Sequence, residues 1–178
     1  MSWLDAHGAD VADVARLRAA MARGDVWSRS VPLHVTGSAL VLDPATERVL
    51  LRWHERYGIW NHVGGHADDG EQHPYLTARR EAEEETGLRD LRPWPGPQPS
   101  ILFVQIVPVP AHRNEAAHEH ADVCYVLATD DPDAIVEEHD DAALRWLPIP
   151  EARALVNFHV AELIDRLDAL LRAGASPG

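Results

Sequence analysis

The stretch that decides the fold of this chain is GGHADDGE at residues 64–71, which continues through QHPYLTAR at residues 72–79 into REAEEETGL at residues 80–88. The first part indicates a glycine-rich loop that carries acids, and the rest predicts a helix. Pro74 suits the first helical position, where a missing N–H needs no partner. Gly87 is the residue type that most often takes the left-handed conformation after a helix. We therefore take this loop and helix as the centre of the domain.

The predicted helix carries a cluster of acids. Glu81, Glu84 and Glu85 stand at i, i+3 and i+4, so their side chains share one helix face. Like charges repel, and a chain that places such acids together usually gives them a cation. Oxygen atoms are the ligands that Mg²⁺ or Mn²⁺ prefers. Arg80 precedes Glu84 by four residues and can steady it through an ion pair.

These residues resemble the Nudix box of the Nudix hydrolase (MutT-like) superfamily. That box is a glycine, five residues, Glu, seven residues, Arg-Glu, an apolar residue, one residue, Glu-Glu, one residue, Gly and an apolar residue. The matching positions here are Gly65, Glu71, Arg80, Glu81, Ala82, Glu84, Glu85, Gly87 and Leu88. One departure is that eight residues, rather than seven, separate Glu71 from Arg80. Either Glu71 keeps its role across the longer loop, or Gln72 takes its place.

The resemblance implies an enzyme that hydrolyses a phosphoanhydride bond in a nucleoside-diphosphate-linked or other diphosphate small molecule, with water attacking phosphorus. Mg²⁺ or Mn²⁺ is the implied cofactor, because negative charge builds up on the phosphate oxygens. Glu84 and Glu85 are then metal ligands, and the Gly64 carbonyl is a further ligand. Glu81 is either a ligand or the base that takes the water proton. Arg80 orients these acids as an ion-pair partner.

Two further acids have expected roles at this centre. Glu71 orients the helix carboxylates if the longer loop permits it. In this superfamily a later loop often supplies another acid to the metals, and Glu138 is the candidate here, in an acidic segment with Glu137 and Asp140. The alternative is a solvated acidic loop without a role in the site.

Two other functions are found on domains of this kind. A Nudix domain that binds a nucleotide metabolite without cleaving it usually loses box carboxylates, whereas Glu81, Glu84 and Glu85 are all present here. An isopentenyl-diphosphate isomerase-like enzyme needs a cysteine ahead of the box. The single cysteine of this chain, Cys124, lies after the box in an apolar run and is expected to be a buried thiol. Both rivals are therefore disfavoured.

Residues beside the box are candidates for binding the substrate. Arg52 could meet phosphate, since a guanidinium fork suits that group, and an ordinary surface role is the alternative. Trp53 could stack on a base or ring. His66 follows the glycine pair and could contact phosphate or cap the loop.

Another set of polar residues lies well after the box. His118, His120 and Asp122 alternate along a predicted strand and therefore share one face. Two interpretations stay open for them. One is contact with the substrate or an additional metal site, and the other is a polar strand edge with structural hydrogen bonds.

The rest of the chain predicts an α/β fold. Apolar and β-branched runs predict strands at 33–43, 48–53, 59–63, 101–109, 118–129 and 142–147. Helical spacing predicts one long C-terminal helix at Glu151–Ala173. Arg89–Ser100 holds four prolines and predicts a loop without regular structure. The resemblance implies a Nudix-type α/β/α sandwich with a mixed β-sheet.

The chain length suits one domain preceded by an extension. With 178 residues, a single domain is the natural expectation. Residues 31–174 form the predicted Nudix hydrolase domain. Residues 1–30 form a helical extension whose helix spans Asp10–Ala22, and this extra helix could serve a homodimer.

Charge and hydropathy limit the partners. A net charge of −13 argues against a nucleic-acid polymer or an anionic membrane surface as partner. A phosphorylated small molecule stays compatible, because a bound divalent cation reverses the local field. There is no apolar run of about 18 residues to span a membrane, and the N-terminus lacks the residue order of a secretory signal. We therefore expect a cytoplasmic protein.

Overall fold

The computed structural model describes Leu4, residues 11–113 and residues 115–174. Its helices are α1 (Val11–Arg23), α2 (Pro74–Thr86), α3 (Ile149–Leu155) and α4 (Phe158–Arg172). Its strands are β1 (Leu33–Asp43), β2 (Arg48–His54), β3 (Ile59–Asn61), β4 (Val63–His66), β5 (Arg92–Pro93), β6 (Ile101–Val109), β7 (His118–Ala128) and β8 (Leu144–Pro148). A short 3₁₀ helix spans Pro132–Ala134. The predicted α/β class is therefore confirmed.

Strand β1 is the centre of a mixed, eight-stranded sheet. It runs parallel to β7 over residues 33–42. Its opposite edge pairs antiparallel with β4 over residues 36–39 and with β2 over residues 41–43. The sheet therefore divides beside β1, and residues from both branches line the cleft described below.

Helices cover both faces of this sheet, which gives the expected α/β/α sandwich. Successive residues of β1 face opposite layers. Leu40 packs in one core cluster with Leu163 of α4, and Val41 packs in another with Ala82 of α2. All four side chains are fully buried, and removing such apolar surface from water is the main force that holds the layers together. The acid-bearing helix α2 is thus fixed against one face of the sheet.

The C-terminal helix predicted at Glu151–Ala173 is in fact two helices, α3 and α4. The backbone is extended at Val156, and the Asn157 side chain accepts a hydrogen bond from the Val160 N–H at 3.1 Å. Asparagine is one of the strongest helix N-caps. It therefore starts a new helix where apolar spacing alone predicts that one helix continues.

Two shorter predictions also change. The predicted strand Ile59–Val63 is divided at His62 into β3 and β4, and β4 continues to His66. The reason is a change of partner, since β3 pairs with β2 whereas β4 pairs with β1. The predicted loop at Arg89–Ser100 contains β5, a two-residue strand that pairs with β7.

Helix α1 packs on the edge of the sheet. Leu17 is fully buried in a cluster with Ile106 of β6, whose N–H donates to Asp13 Oδ2 at 2.7 Å. The helix was predicted from Asp10, which lies outside the described residues. A homodimer through this helix stays a prediction. Among the helices of the described residues, none has the length and apolar character that crossing a membrane requires.

Candidate active site

Helix α2 forms where the sequence predicts it, whereas the loop that was predicted from Gly64 begins only after His66, because Gly64, Gly65 and His66 belong to β4. Pro74 is the first residue of α2, and the His73 side chain accepts a hydrogen bond from the Tyr75 N–H at 3.2 Å. Gly87 ends the helix in the left-handed conformation, with φ of 73°, and its N–H donates to the Glu83 carbonyl at 3.1 Å. Capping at both ends therefore fixes where the acids stand along the helix.

Two glycines allow α2 to approach the sheet closely. A Cβ atom at Gly37 of β1 would lie 2.2 Å from the Pro74 carbonyl oxygen. A Cβ atom at Gly65 of β4 would lie 2.5 Å from the Glu81 carboxylate. Glycine is the residue that permits such close approach of backbone to another group. The Glu81 carboxylate therefore lies directly against the main chain of β4 at Gly65.

Arg80 is the centre of a group of ion pairs. Its guanidinium donates to Glu71 Oε1 at 3.1 Å, to Glu81 Oε1 at 2.9 Å and to Glu84 Oε2 at 3.0 Å. It also donates to the His66 carbonyl oxygen at 2.8 Å. A planar guanidinium with five N–H donors can hold several acceptors at once. The structure thus brings Arg80 together with the acids that it was predicted to orient.

Glu71, and not Gln72, contacts Arg80. Glu71 Oε2 also accepts hydrogen bonds from the Thr77 hydroxyl at 3.0 Å and from the Asp68 N–H at 3.1 Å. Burial acts to raise the pKa of Glu71, but Arg80 and these hydrogen bonds outweigh it and hold the pKa below its usual value. Gln72 is exposed. The longer loop therefore still delivers an ionised carboxylate to Arg80.

Glu85 lies between the glycine loop and Arg52. Its Oε2 accepts a hydrogen bond from the Gly64 N–H at 3.0 Å, and its Oε1 lies 3.4 Å from Arg52 Nε. Arg52 Nη2 also donates to Glu138 Oε2 at 3.1 Å. Glu138, the acid predicted to come from a later loop, is therefore linked to Glu85 by Arg52. Burial raises the pKa of Glu85 to about 7; Arg52 opposes this rise, and the neighbouring Glu81 carboxylate adds to it.

The charge balance of this cluster fits a divalent cation. Two guanidinium groups, those of Arg52 and Arg80, face six carboxylates. The carboxylates are those of Asp68, Glu71, Glu81, Glu84, Glu85 and Glu138. Burial raises the pKa of Glu81 as well as that of Glu85, as expected for acids that are desolvated without enough compensating charge. The carboxylates offer only oxygen atoms as metal ligands, and oxygen is the ligand type that Mg²⁺ and Mn²⁺ prefer.

A cleft with a volume of 460 Å³ begins at Glu85 and extends to a group of histidines. Gly64 and Arg52 line it near the acids, and the apolar side chains of Val107 and Val109 line it further along. Clefts of about 300–1,000 Å³ with a few convergent polar groups are typical of small-molecule sites. The cleft can therefore hold a metabolite-sized ligand with one end beside Glu85.

Trp53 does not line this cleft. It pairs with Trp60 between β2 and β3, and the two rings meet edge to face with their centroids 5.5 Å apart. Its strand neighbours Arg52 and His54 both line the cleft, and successive strand residues point to opposite faces. The structure therefore separates Trp53 from the other residues proposed to meet the substrate.

Four imidazoles come together beside the cleft, and three of them, those of His66, His118 and His120, line it. His66 Nε2 lies 3.1 Å from His34 Nε2 and 3.2 Å from His120 Nε2. His120 Nε2 in turn lies 3.1 Å from His118 Nε2. The sequence pattern singled out three of these histidines but missed His34. Only the parallel pairing of β1 with β7 places His34 beside His120, and neither local spacing nor composition reveals that pairing.

Asp122 shares a strand face with His120 but has other partners. It is buried, its Oδ1 accepts a hydrogen bond from the Thr36 hydroxyl at 3.1 Å, and its Oδ2 lies 3.4 Å from His62 Nε2. Burial acts to raise the pKa of Asp122, but His62 and hydrogen bonds outweigh it and lower the pKa. These contacts fit the structural interpretation of Asp122.

A family model described as the NUDIX domain matches residues 32–167. The search of curated proteins gives no match. The matched region begins just before β1 and ends within α4, so it contains the acids, the glycine loop and all four clustered histidines.

Solved structures share the fold at low sequence identity. A C. elegans Ap4A hydrolase in a binary complex is 15% identical, with a TM-score of 0.61 over 78% of this chain and 98% of its own. The Nudix hydrolase RenU of M. smegmatis is 21% identical, with a TM-score of 0.56 over 79% and 86%. The NUDIX domain of Shewanella oneidensis NrtR, complexed with ADP ribose, is 19% identical, with a TM-score of 0.57 over 86% and 97%. At these identities the likeness shows the fold.

Proposed function

Because this chain belongs to the NUDIX domain family and is a hydrolase of phosphoanhydride bonds, we propose that it cleaves a nucleoside-diphosphate-linked or other diphosphate small molecule. The observation that carries this proposal is the position of Glu85 in the wall of the 460 Å³ cleft, on the same helix as Glu81 and Glu84. A substrate in the cleft places its diphosphate beside acids that need a cation.

The proposed ligands of that cation are Glu81, Glu84 and Glu85 of α2, together with the Gly64 carbonyl oxygen. When bound, Mg²⁺ or Mn²⁺ neutralises charge on the phosphate oxygens and lowers the pKa of the attacking water. Glu81 has a second proposed role as the base that takes the water proton. Its burial against Gly65 and its raised pKa suit a proton acceptor.

The arginines of the site hold the acids in position. Arg80 fixes the side chains of Glu81 and Glu84 from one side, and Glu71 fixes Arg80 in turn. Arg52 contacts Glu85 and lines the cleft, so it can also face a substrate phosphate. Positioning of this kind lowers the barrier because the groups are already oriented before the reaction begins.

The remainder of the cleft is proposed to hold the moiety attached to the diphosphate. Tyr57 and Arg56 line the cleft, and the Arg56 guanidinium lies 5.2 Å from the centroid of the Tyr57 ring. An aromatic ring next to a cation is a surface on which a base or sugar can stack. The Ap4A hydrolase and the ADP ribose complex among the structural neighbours support a substrate of the nucleotide type.

The test is a phosphate-release screen with Mg²⁺ and with Mn²⁺ over dinucleoside polyphosphates, ADP-ribose, nucleotide sugars and oxidised nucleotides. An added phosphatase that acts only on the products reports cleavage. We expect at least one compound to be hydrolysed by the natural chain. Glu84→Gln should abolish this hydrolysis while circular dichroism stays unchanged.

The matched control is Glu83→Gln on the same helix. Glu83 pairs with the exposed Arg79 at 2.8 Å rather than with the acid cluster, so its replacement should leave turnover unchanged. Unchanged turnover in Glu84→Gln would sink the assignment of the site. Tight binding of a nucleotide without any cleavage would instead favour a sensor function.

A further inference from the structure

We propose that His34, His66, His118 and His120 form a binding site for one divalent transition-metal ion of the Zn²⁺ type. Three of these histidines, His66, His118 and His120, line the same cleft as Glu85. This site differs from the proposed magnesium site in the type of its ligand atoms, and it does not depend on the identity of the substrate.

The geometry suits a single ion bound to the four Nε2 atoms. The three contacts along the series His34, His66, His120 and His118 are 3.1, 3.2 and 3.1 Å. A tetrahedral ion with Zn–N bonds of about 2.0–2.1 Å places its ligand nitrogens about 3.3 Å apart. The ligand atoms of His34, His118 and His120 all lie within 4.8 Å of one another, and His66 Nε2 lies within 3.2 Å of the Nε2 atoms of both His34 and His120.

Two of the rings are already held in the form that a metal requires. His34 Nδ1 lies 2.9 Å from the Val31 carbonyl oxygen, and His118 Nδ1 lies 2.9 Å from the Ala116 carbonyl oxygen. A carbonyl oxygen can only accept, so each Nδ1 carries the proton and donates it. The lone pair of each Nε2 is therefore directed into the cluster. Hydrogen bonds of this kind are typical of metal-ligating histidines.

Hydrogen bonding among the rings satisfies the cluster less well than an ion does. His66 Nε2 and His120 Nε2 can donate to the lone pairs of His34 and His118, respectively. The contact of 3.2 Å between His66 Nε2 and His120 Nε2 then places two N–H groups face to face. A bound ion removes this conflict, because His66 and His120 can move their protons to Nδ1 and present lone pairs instead.

The surroundings favour neutral imidazoles. His34 is buried and the other three rings are half-buried, and burial disfavours the charged imidazolium form. Neutral imidazole is the form that binds metal. Glu115 Oε1 lies 3.7 Å from His118 Nε2, while Glu115 Oε2 pairs with Arg56 Nη2 at 2.7 Å.

The nature of the donors separates this site from the acid cluster. Imidazole nitrogen suits Zn²⁺, Co²⁺, Ni²⁺ or Cu²⁺, whereas carboxylate and carbonyl oxygen suits Mg²⁺. His66 joins the two regions, because its ring belongs to the histidine cluster while its carbonyl oxygen accepts from Arg80. A metal ion bound to the histidines would therefore also hold His66, the last residue of β4, in place.

The probe is Co²⁺, added to metal-free protein and followed by its visible absorption. Tetrahedral Co²⁺ with imidazole ligands absorbs strongly in the visible, which octahedral Co²⁺ on carboxylates does not. We expect one such ion per chain, displaced by one equivalent of Zn²⁺ and unaffected by excess Mg²⁺. Protein without this absorption, or with absorption that Mg²⁺ removes, overturns the proposal.

Variants test the ligands by equilibrium dialysis against Zn²⁺. His118→Gln and His120→Gln should each raise the Kd by at least about tenfold. The controls are His139→Gln, an exposed histidine outside the cluster, and Glu84→Gln in the acid cluster, and both should bind as the natural chain does. If the two cluster variants retain the natural Kd, the site is elsewhere. Should either variant fail to fold by circular dichroism, the Co²⁺ spectrum of the natural chain decides alone.

Discussion

Arg80 Nε lies 3.1 Å from Glu71 Oε1, although the loop between these two residues is one residue longer than the Nudix box prescribes. Six of the eight intervening residues, 74–79, belong to α2, and the ion pair is formed. Gln72, the alternative occupant of this position, is exposed. The first prediction is therefore that Glu71→Gln lowers kcat/KM by about 10–100-fold, the usual effect of losing a group that orients a ligand.

Gln72→Ala is the matched control for this prediction and should leave kcat/KM within about twofold, because an exposed side chain seldom matters to its surroundings. Both variants are measured on the best substrate of the screen at saturating Mg²⁺. The reverse order of effects would move the role to residue 72.

The second prediction concerns the shape of the Arg80 side chain. Arg80→Lys keeps the positive charge but cannot hold Glu71, Glu81 and Glu84 together, because an ammonium lacks the planar fork. We expect the Mg²⁺ concentration for half-maximal activity to rise by about tenfold or more. Arg79→Lys is the control, since Arg79 is exposed and its ion pair with Glu83 lies outside the acid cluster. Equal behaviour of the two variants would contradict the central position of Arg80.

The third prediction tests the close contact between β4 and α2. Gly65→Ala places a Cβ atom 2.5 Å from the Glu81 carboxylate, which must then move. We expect kcat to fall by at least about tenfold, because misplacement of about 1 Å in a catalytic group is known to cost that much or more. Gly96→Ala should be neutral, since a Cβ atom there meets nothing within 4 Å. Full activity of Gly65→Ala would show that the position of Glu81 is not critical.

The fourth prediction follows from the raised pKa of Glu85. Its folded-state pKa of about 7 lies above its ordinary value, so the folded protein binds a proton more tightly than the unfolded chain does. The protonated acid therefore contributes fully to stability at low pH, and this contribution is lost as the pH rises through about 7. In metal-free buffer at pH 8, the free energy of unfolding of the Glu85→Gln variant should be larger than that of the natural chain by about 1–3 kcal/mol.

At pH 5 the two chains should differ much less, because Glu85 is then protonated in the folded state. The measurement is urea unfolding of both chains at both pH values. The other titrating groups are the same in the two chains, so their contributions cancel in the difference. Added Mg²⁺ should stabilise the natural chain at pH 8 and have less effect on Glu85→Gln, since binding to the folded state alone raises stability. A gap that is the same at both pH values would contradict the raised pKa.

The sequence predicts those parts of the site that are determined by residues close to one another along the chain. Helix α2 is bounded by Pro74 and Gly87, both of which act within one turn of the chain. The shared face of Glu81, Glu84 and Glu85 follows from the helical period alone. These features could be predicted because they need no knowledge of what lies across the sheet.

Other features depend on contacts between distant segments. The approach of Glu138 to Arg52 joins a late loop to β2, and His34 meets His120 only because β1 runs parallel to β7. The start of α4 at Asn157 was missed for a different reason, since a side-chain cap competed with a continuous apolar pattern. In each case the spacing of apolar residues along the sequence gives no indication of the interaction that decides the structure.

The parallel pairing of β1 with β7 also has a consequence for biosynthesis. When a ribosome has released β1 to β4 and α2, every box carboxylate has been made, but β7 and two of the four clustered histidines have not. Until β7 emerges, β1 presents one open edge of apolar residues, and such edges associate with other chains. Nascent or truncated chains that end before residue 118 are therefore expected to require chaperones, whereas the finished chain closes this edge itself.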